Sequence, residues 1–170
     1  MMSNKKGFTL IEVIVVTLII AALALLVAPS FKNSTITNDM EKAKMGLVEF
    51  TNAAKLYNEV HPSAPISGTF DSIMYSKLAY DGNEGFAYLQ NTGNRWHQGQ
   101  GSNYTLLNLD CVFSFNIGDT SSMANTLSMA KCKFEKPNGA EGKDCYWFSI
   151  KKSNPMIIDK DIKEEGDCVN

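Results

Sequence analysis

The sequence predicts an α+β protein in which one long amino-terminal helix packs on a small antiparallel β-sheet. Three observations predict it. From Phe8 to Ala28 the chain is apolar with a single charged side chain, Glu12. From Ile36 to Tyr57 apolar residues recur at alternating spacings of four and three, one face of an amphipathic helix. From Leu107 to Ile150 apolar and polar residues alternate over three short segments, which also hold three of the four cysteines.

The first run, residues 8–28, spans a hydrocarbon core of roughly 30 Å at about 1.5 Å of helix per residue. A carboxylate inside such a segment costs on the order of 2.5 kcal/mol at the helix centre and less near an end, so Glu12 calls for a cationic partner. An ordinary secretory signal peptide would offer Ala22-Leu23-Ala24 or Ala28-Pro29-Ser30 for cleavage, yet its apolar region is typically about 7 to 15 residues and carries no carboxylate. A plain uncut anchor leaves Gly7 and Glu12 without a reason. Lys5, Lys6 and the starting amine precede the span, which keeps residues 1–7 cytoplasmic and sends the bulk of the chain outward.

The stretch Gly7-Phe8-Thr9-Leu10-Ile11-Glu12 resembles the processing site of type IV prepilins and of the pseudopilins of type II secretion. The resemblance implies the type IV pilin fold and a structural role with no cofactor. It implies a leader, 1–7, removed by a membrane aspartyl prepilin peptidase that cuts after Gly7 and methylates the new amino terminus at Phe8. It places Glu12 at the family's acidic position, where the carboxylate pairs during assembly with the Phe8 ammonium of a neighbouring subunit. Either charge alone is costly in an apolar bundle, and the hydrogen-bonded pair is tolerable. Pro29 falls where these proteins commonly kink or loosen the first helix, as a helix-interior proline does by removing a hydrogen bond. The implied partners are the peptidase, identical or related subunits in a helical filament, an inner-membrane assembly platform and its ATPase. The implied location is the inner membrane as a single pass, then the cell surface.

Residues 29–60 form the amphipathic half of the helix, with Ile36, Met40, Ala43, Leu47, Phe50, Ala54 and Tyr57 on its buried stripe. The helix is expected to stop near His61-Pro62, because the residue before a proline avoids the helical region. Residues 61–103 read as a glycine-rich connecting region with short elements, one of them a helical turn or two between Asp71 and Tyr80. Arg95-Trp96-His97 invites a ligand reading, but a lone basic-aromatic triplet in such a loop is ordinarily packing plus solvated charge.

Residues 104–170 hold the sheet and a carboxy-terminal loop. The first strand is expected to turn Leu107, Leu109, Cys111, Phe113, Phe115 and Ile117 inward, the second Ala130, Cys132 and Phe134, the third Tyr146, Phe148 and Ile150. Pro137-Asn138-Gly139 is the turn between the last two. All four cysteines lie in the exported portion, which suits two disulfides. Folding the first hairpin about Ser121 and Ser122 sets Cys111 opposite Cys132 on the inner face, while Cys145 points outward with Trp147 and is reached by Cys168 if the tail folds back. This favours Cys111–Cys132 with Cys145–Cys168; the other two pairings stay open on sequence alone. The second bond would enclose a loop similar to the disulfide-bounded loop that many type IV pilins display. Zinc has little support: no Cys-x-x-Cys pair exists, and His61 and His97 lie far from any cysteine in sequence.

The formal charge is −2, and removal of Lys5 and Lys6 takes it to −4, which gives no broad case for nucleic acid. Lys131, Lys133, Lys136, Lys143, Lys151 and Lys152 gather on the second and third strands, where solvent-facing lysine commonly serves solubility, so DNA contact is not expected. The acidic run Asp159 to Asp167 is similar to the calcium site of the major pseudopilin but lacks EF-hand spacing, and a solvated loop with no metal is the default. No catalytic arrangement can be named, so an enzyme is not expected. The leading expectation is a prepilin that polymerises into a type IV pilus for adhesion, motility or DNA uptake. The alternatives are a type II secretion pseudopilin and, in another class, a membrane-anchored binding module that forms no polymer.

Overall fold

A computed structural model describes residues 9–79, 87–90, 95–99, 101–118, 125–137, 140–163 and Cys168, with backbone alone for 25–30 and 32. Helix α1, Leu10–Val60, is 51 residues and therefore about 75 Å long. It is assigned without interruption through position 29. Its last backbone bond, His61 N–H to Tyr57 C=O at 2.8 Å, comes directly before Pro62, where the chain was expected to leave the helix. The predicted stripe is the buried face: Ile36, Ala43, Leu47, Phe50, Ala54 and Tyr57 are buried and Met40 packs against them.

Among the described residues seven strands follow: β1 Gly68–Thr69, β2 Trp96–Gln98, β3 Tyr104–Leu106, β4 Cys111–Phe115, β5 Thr126–Glu135, β6 Lys143–Lys151 and β7 Ile158–Lys163, with helix α2, Ser72–Ala79, between the first two. Asp71 starts α2 by accepting the Met74 N–H on its side chain at 2.8 Å. The main sheet is antiparallel in the order β1-β4-β5-β6-β7, and β2 pairs with β3 in a separate ribbon. The predicted register holds across the central hairpins: Cys111 faces Cys132, and Ala130, Cys132, Phe134, Tyr146, Phe148 and Ile150 are all buried.

The core sits between α1 and the inner face of the sheet. Phe50 is its hub, with ring centroids of Phe70, Phe113 and Phe115 at 4.7, 6.0 and 6.4 Å. Trp96 closes one end, 5.4 Å from Phe70 and 5.2 Å from Phe113. Gly46 lets this ribbon approach the helix: a Cβ there would lie 2.6 Å from Leu106 Cδ2. One buried polar contact joins helix to sheet, Thr51 Oγ1 to Ser128 Oγ at 2.6 Å.

Two expectations are corrected. The first predicted strand is shorter than Leu107–Ile117: Leu107 is 37% exposed at φ 52°, and Ile117 is 44% exposed. The chain breaks at Leu107 because its N–H bonds to Arg95 C=O and the Thr105 hydroxyl donates to Leu109 C=O, folding 105–109 into a turn between β3 and β4. The carboxy-terminal segment is not all loop, since Ile158–Lys163 adds a fifth strand to the sheet by pairing with β6. Pro137 is described, whereas Asn138 and Gly139 of the predicted turn lie outside the described residues.

Candidate functional site: the amino-terminal rod and the head it carries

The rod begins with a reciprocal cap. Thr9 N–H donates to Glu12 Oε2 at 2.8 Å, the Thr9 hydroxyl donates to the same oxygen at 2.8 Å, and Thr9 Oγ1 accepts from Glu12 N–H at 3.4 Å. This is a capping box, which satisfies two amide donors that the first turn cannot use. The sequence reading overlooked it, although Thr9-Leu10-Ile11-Glu12 before an apolar run is its signature. In the single chain the Glu12 carboxylate therefore already has hydrogen-bond donors, supplied by the residue after Phe8. Gly7 and Phe8 themselves lie outside the described residues.

Beyond the cap the rod exposes apolar side chains in every direction. Leu10, Ile11, Val13, Ile14, Val15, Val16, Leu18, Ile19, Ile20 and Leu23 are all large and exposed, with Thr17 turned back onto Ile14 C=O at 2.8 Å. Among the described residues no helix is long and apolar enough to cross a membrane; the side chains of 25–30, the last part of the predicted span and its Pro29, are outside that set. An apolar surface of this extent calls for lipid or protein cover.

The head carries both predicted disulfides, Cys111–Cys132 across β4 and β5 and Cys145–Cys168 on the opposite face. Cys145 is fully buried even though it alternates with the inward set, because Cys168 covers it and the Trp147 indole N–H points at its sulfur at 3.1 Å. Lys131 and Lys163 lie over the Trp147 ring at 4.6 and 5.8 Å. Lys163 also pairs with Asp161 at 2.9 Å, and its hydrogen bond holds that carboxyl below its ordinary value. Burial, and then the charge of Asp144, push the Tyr146 phenol up.

Arg95-Trp96-His97 is structural: Trp96 is 1% exposed, and Arg95 and the Trp96 indole both reach Glu49 of α1, at 3.2 and 3.4 Å. Among the described residues no group of three or more His, Cys, Asp or Glu could hold a metal ion. An open cleft of about 600 Å³ is lined by His97, Asn103, Asn108 and Asp110 together with Lys131, Lys133 and Cys168.

A family model, the prokaryotic N-terminal methylation motif, matches residues 2–28. Residues 2–28 thus carry the N-methylation motif of the type IV pilin/pseudopilin family. No curated protein and no solved structure matches the chain significantly. The matched segment includes Gly7, Phe8 and Glu12, and the long helix on an antiparallel sheet with disulfides toward its carboxy terminus is consistent with the pilin fold. The motif is that of a prepilin-like protein processed by cleavage and methylation at its amino terminus. The motif implies a prepilin peptidase as partner and a membrane-anchored amino terminus before assembly.

Proposed function

We propose that the chain is a prepilin cut between Gly7 and Phe8, methylated on the Phe8 amine and polymerised into an extracellular type IV pilus, with the rods packed inside and the heads outside. The observation that carries this reading is the division of the molecule into a rod exposed on all sides and a head with its own core and two disulfides. Glu12 of an incoming subunit exchanges its local Thr9 donors for the Phe8 ammonium of a subunit already in the polymer, which sets the axial register that apolar packing alone does not. Pro29 gives the rod a point at which to bend. The assembly platform and ATPase supply the work of extraction from the membrane.

Intact-mass measurement of the mature protein tests the processing: loss of Met1 to Gly7 and gain of one methyl group is the expected result, and an amino terminus at Met1 or after Ala22 refutes it. Imaging of purified surface filaments for this subunit tests the rest. Its confinement to the cell envelope, with secretion failing when it is deleted, would instead assign it to a type II secretion pseudopilus. A processed chain that never forms a polymer would leave only a membrane-anchored head.

A further inference from the structure

The sheet ends in an open edge whose charge order is self-complementary. Among the described residues no strand pairs with the outer side of β7. The bond from Lys133 N–H to Asp110 C=O, carried outward through the one-to-one register of β5, β6 and β7, assigns the backbone groups of Asp159, Asp161 and Lys163 to β6. Lys160 and Ile162 therefore present theirs to the open side. Consistent with this, the Ile162 N–H donates to the side chain of Asp161 at 2.9 Å, and the Ile162 side chain is 52% exposed.

Charges on an edge strand ordinarily deter pairing with other chains. Here the order matters. Lys160-Asp161-Ile162-Lys163-Glu164 reads positive, negative, apolar, positive, negative, and its reverse carries the opposite sign at every charged position. We propose that β7 pairs antiparallel with β7 of a second copy of this chain, about a two-fold axis at Ile162.

In that register Ile162 faces Ile162 and exchanges both backbone bonds, which uses the groups already aimed outward. Asp161 faces Lys163 of the other copy twice, in pairs without hydrogen bonds, where side chains approach most closely. Moving the axis to Asp161 opposes two aspartates and exchanges the close Asp161–Lys163 pairs for two Asp159–Lys163 pairs. Moving it to Lys160 opposes two lysines and sets Asp159 against Asp161 twice.

The geometry also fixes where the contact is made. Ile158 lies beside Met45 and Val48 of α1, and the Lys160 ammonium lies 3.6 Å from Met40 Sδ, so β7 runs alongside α1 against its direction. A two-fold pair at β7 sets the two rods in opposite directions. Subunits of one helical filament point the same way, so the pair forms between filaments that run oppositely, leaving each filament's own contacts untouched. Each contact is small, and its repetition along two filaments makes the association strong.

The test uses the full-length chain in detergent, where rods are free to orient, and does not depend on polymerisation. In Ile162→Cys, a short thiol-to-thiol crosslinker should yield a covalently linked dimer, because residues facing each other in a hydrogen-bonded pair have Cβ atoms about 5.5 Å apart, beyond the reach of a direct disulfide. Adding Asp161→Lys or Lys163→Asp should each lower that yield roughly tenfold, since two attractive pairs become repulsive. The two side chains are 61% and 41% exposed, and far-ultraviolet circular dichroism verifies that each reversal leaves the head folded. An equimolar mixture of the two reversed variants should restore the dimer, because opposite charges again meet across the pair while the pair inside each chain stays broken. Absence of the Ile162→Cys dimer, insensitivity to the single reversals, or a mixture no better than its components would each overturn the proposal.

Discussion

Thr51→Val isolates the buried polar contact that joins the rod to the sheet. Thr51 and Ser128 are 3% and 1% exposed, their oxygens are 2.6 Å apart, and Thr51 Oγ1 also lies 2.5 Å from Leu47 C=O. A hydroxyl has one hydrogen. With the threonine's directed at Leu47, Ser128 is the donor to Thr51. Valine keeps the volume but strands the Ser128 hydroxyl in a dry site, a loss of about 1 to 3 kcal/mol. Ser128→Ala leaves the Thr51 hydrogen bonded to Leu47 and should cost only about 0.5 to 1.5 kcal/mol. In the double variant no donor is stranded, so its cost should fall short of the sum of the two by about 1 kcal/mol or more. Urea unfolding of the full-length chain in detergent, followed by the fluorescence of Trp96 and Trp147 together, gives these values from midpoints at unchanged slope. A double variant that costs the full sum, or Ser128→Ala costing more than Thr51→Val, would refute the donor assignment.

The phenol of Tyr146 titrates above its ordinary value in the folded head, so its contribution to stability is fully present below about pH 10 and lost as pH rises through the folded-state value. Alkaline unfolding curves should therefore be less steep in pH for Tyr146→Phe than for the natural chain, and equal slopes would contradict the burial argument. Alkylation of the unfolded, unreduced chain should label no cysteine, and loss of the Cys111–Cys132 bond by Cys111→Ser/Cys132→Ser should lower stability by about 2 to 4 kcal/mol without affecting membrane insertion. Glu12→Gln keeps the capping box, since a carboxamide oxygen still accepts from Thr9 N–H, and removes only the charge. Cleavage should persist while surface filament yield falls strongly; wild-type yield from both Glu12→Gln and Glu12→Leu would show that the charge plays no part in register.

The elements that bury a full face were legible in the sequence. The stripe from Ile36 to Tyr57 and the inward residues of β5 and β6 follow from period alone, because a misplaced residue there would put an apolar side chain in water. The Cys111–Cys132 pairing followed from the position of the hairpin centre, and Cys145–Cys168 from the outward direction of Cys145 with a tail that folds back. The edges were not legible. β7 reads Ile-Asp-Lys-Asp-Ile-Lys with most of its side chains exposed, so no burial pattern marks it, and its strand state comes from bonding to β6. β1 has two residues and forms only because Phe115 and Ser114 stand opposite them. The overlong first strand failed for a related reason: Leu107 and Ile117 keep the alternation, yet local bonds at Arg95, Thr105 and Ser67 pull the backbone away from the sheet on either side. Of the rod, Glu12 stands out as the one charge in an apolar run, whereas the Thr9 cap is marked only by the spacing Thr-x-x-Glu.

The Cys145–Cys168 bond has a mechanical meaning. Tension applied between the tail of the head and the rod enters the sheet at Cys145, inside β6, and bypasses the 23-residue span that includes β7. Without the crosslink the same load would reach β7 first and open its bonds to β6 one at a time, like a zip. At about 3.4 Å per extended residue, the bond withholds nearly 80 Å of slack from a stretched head. Force must instead shear β6 against its neighbours, loading many ladder bonds at once.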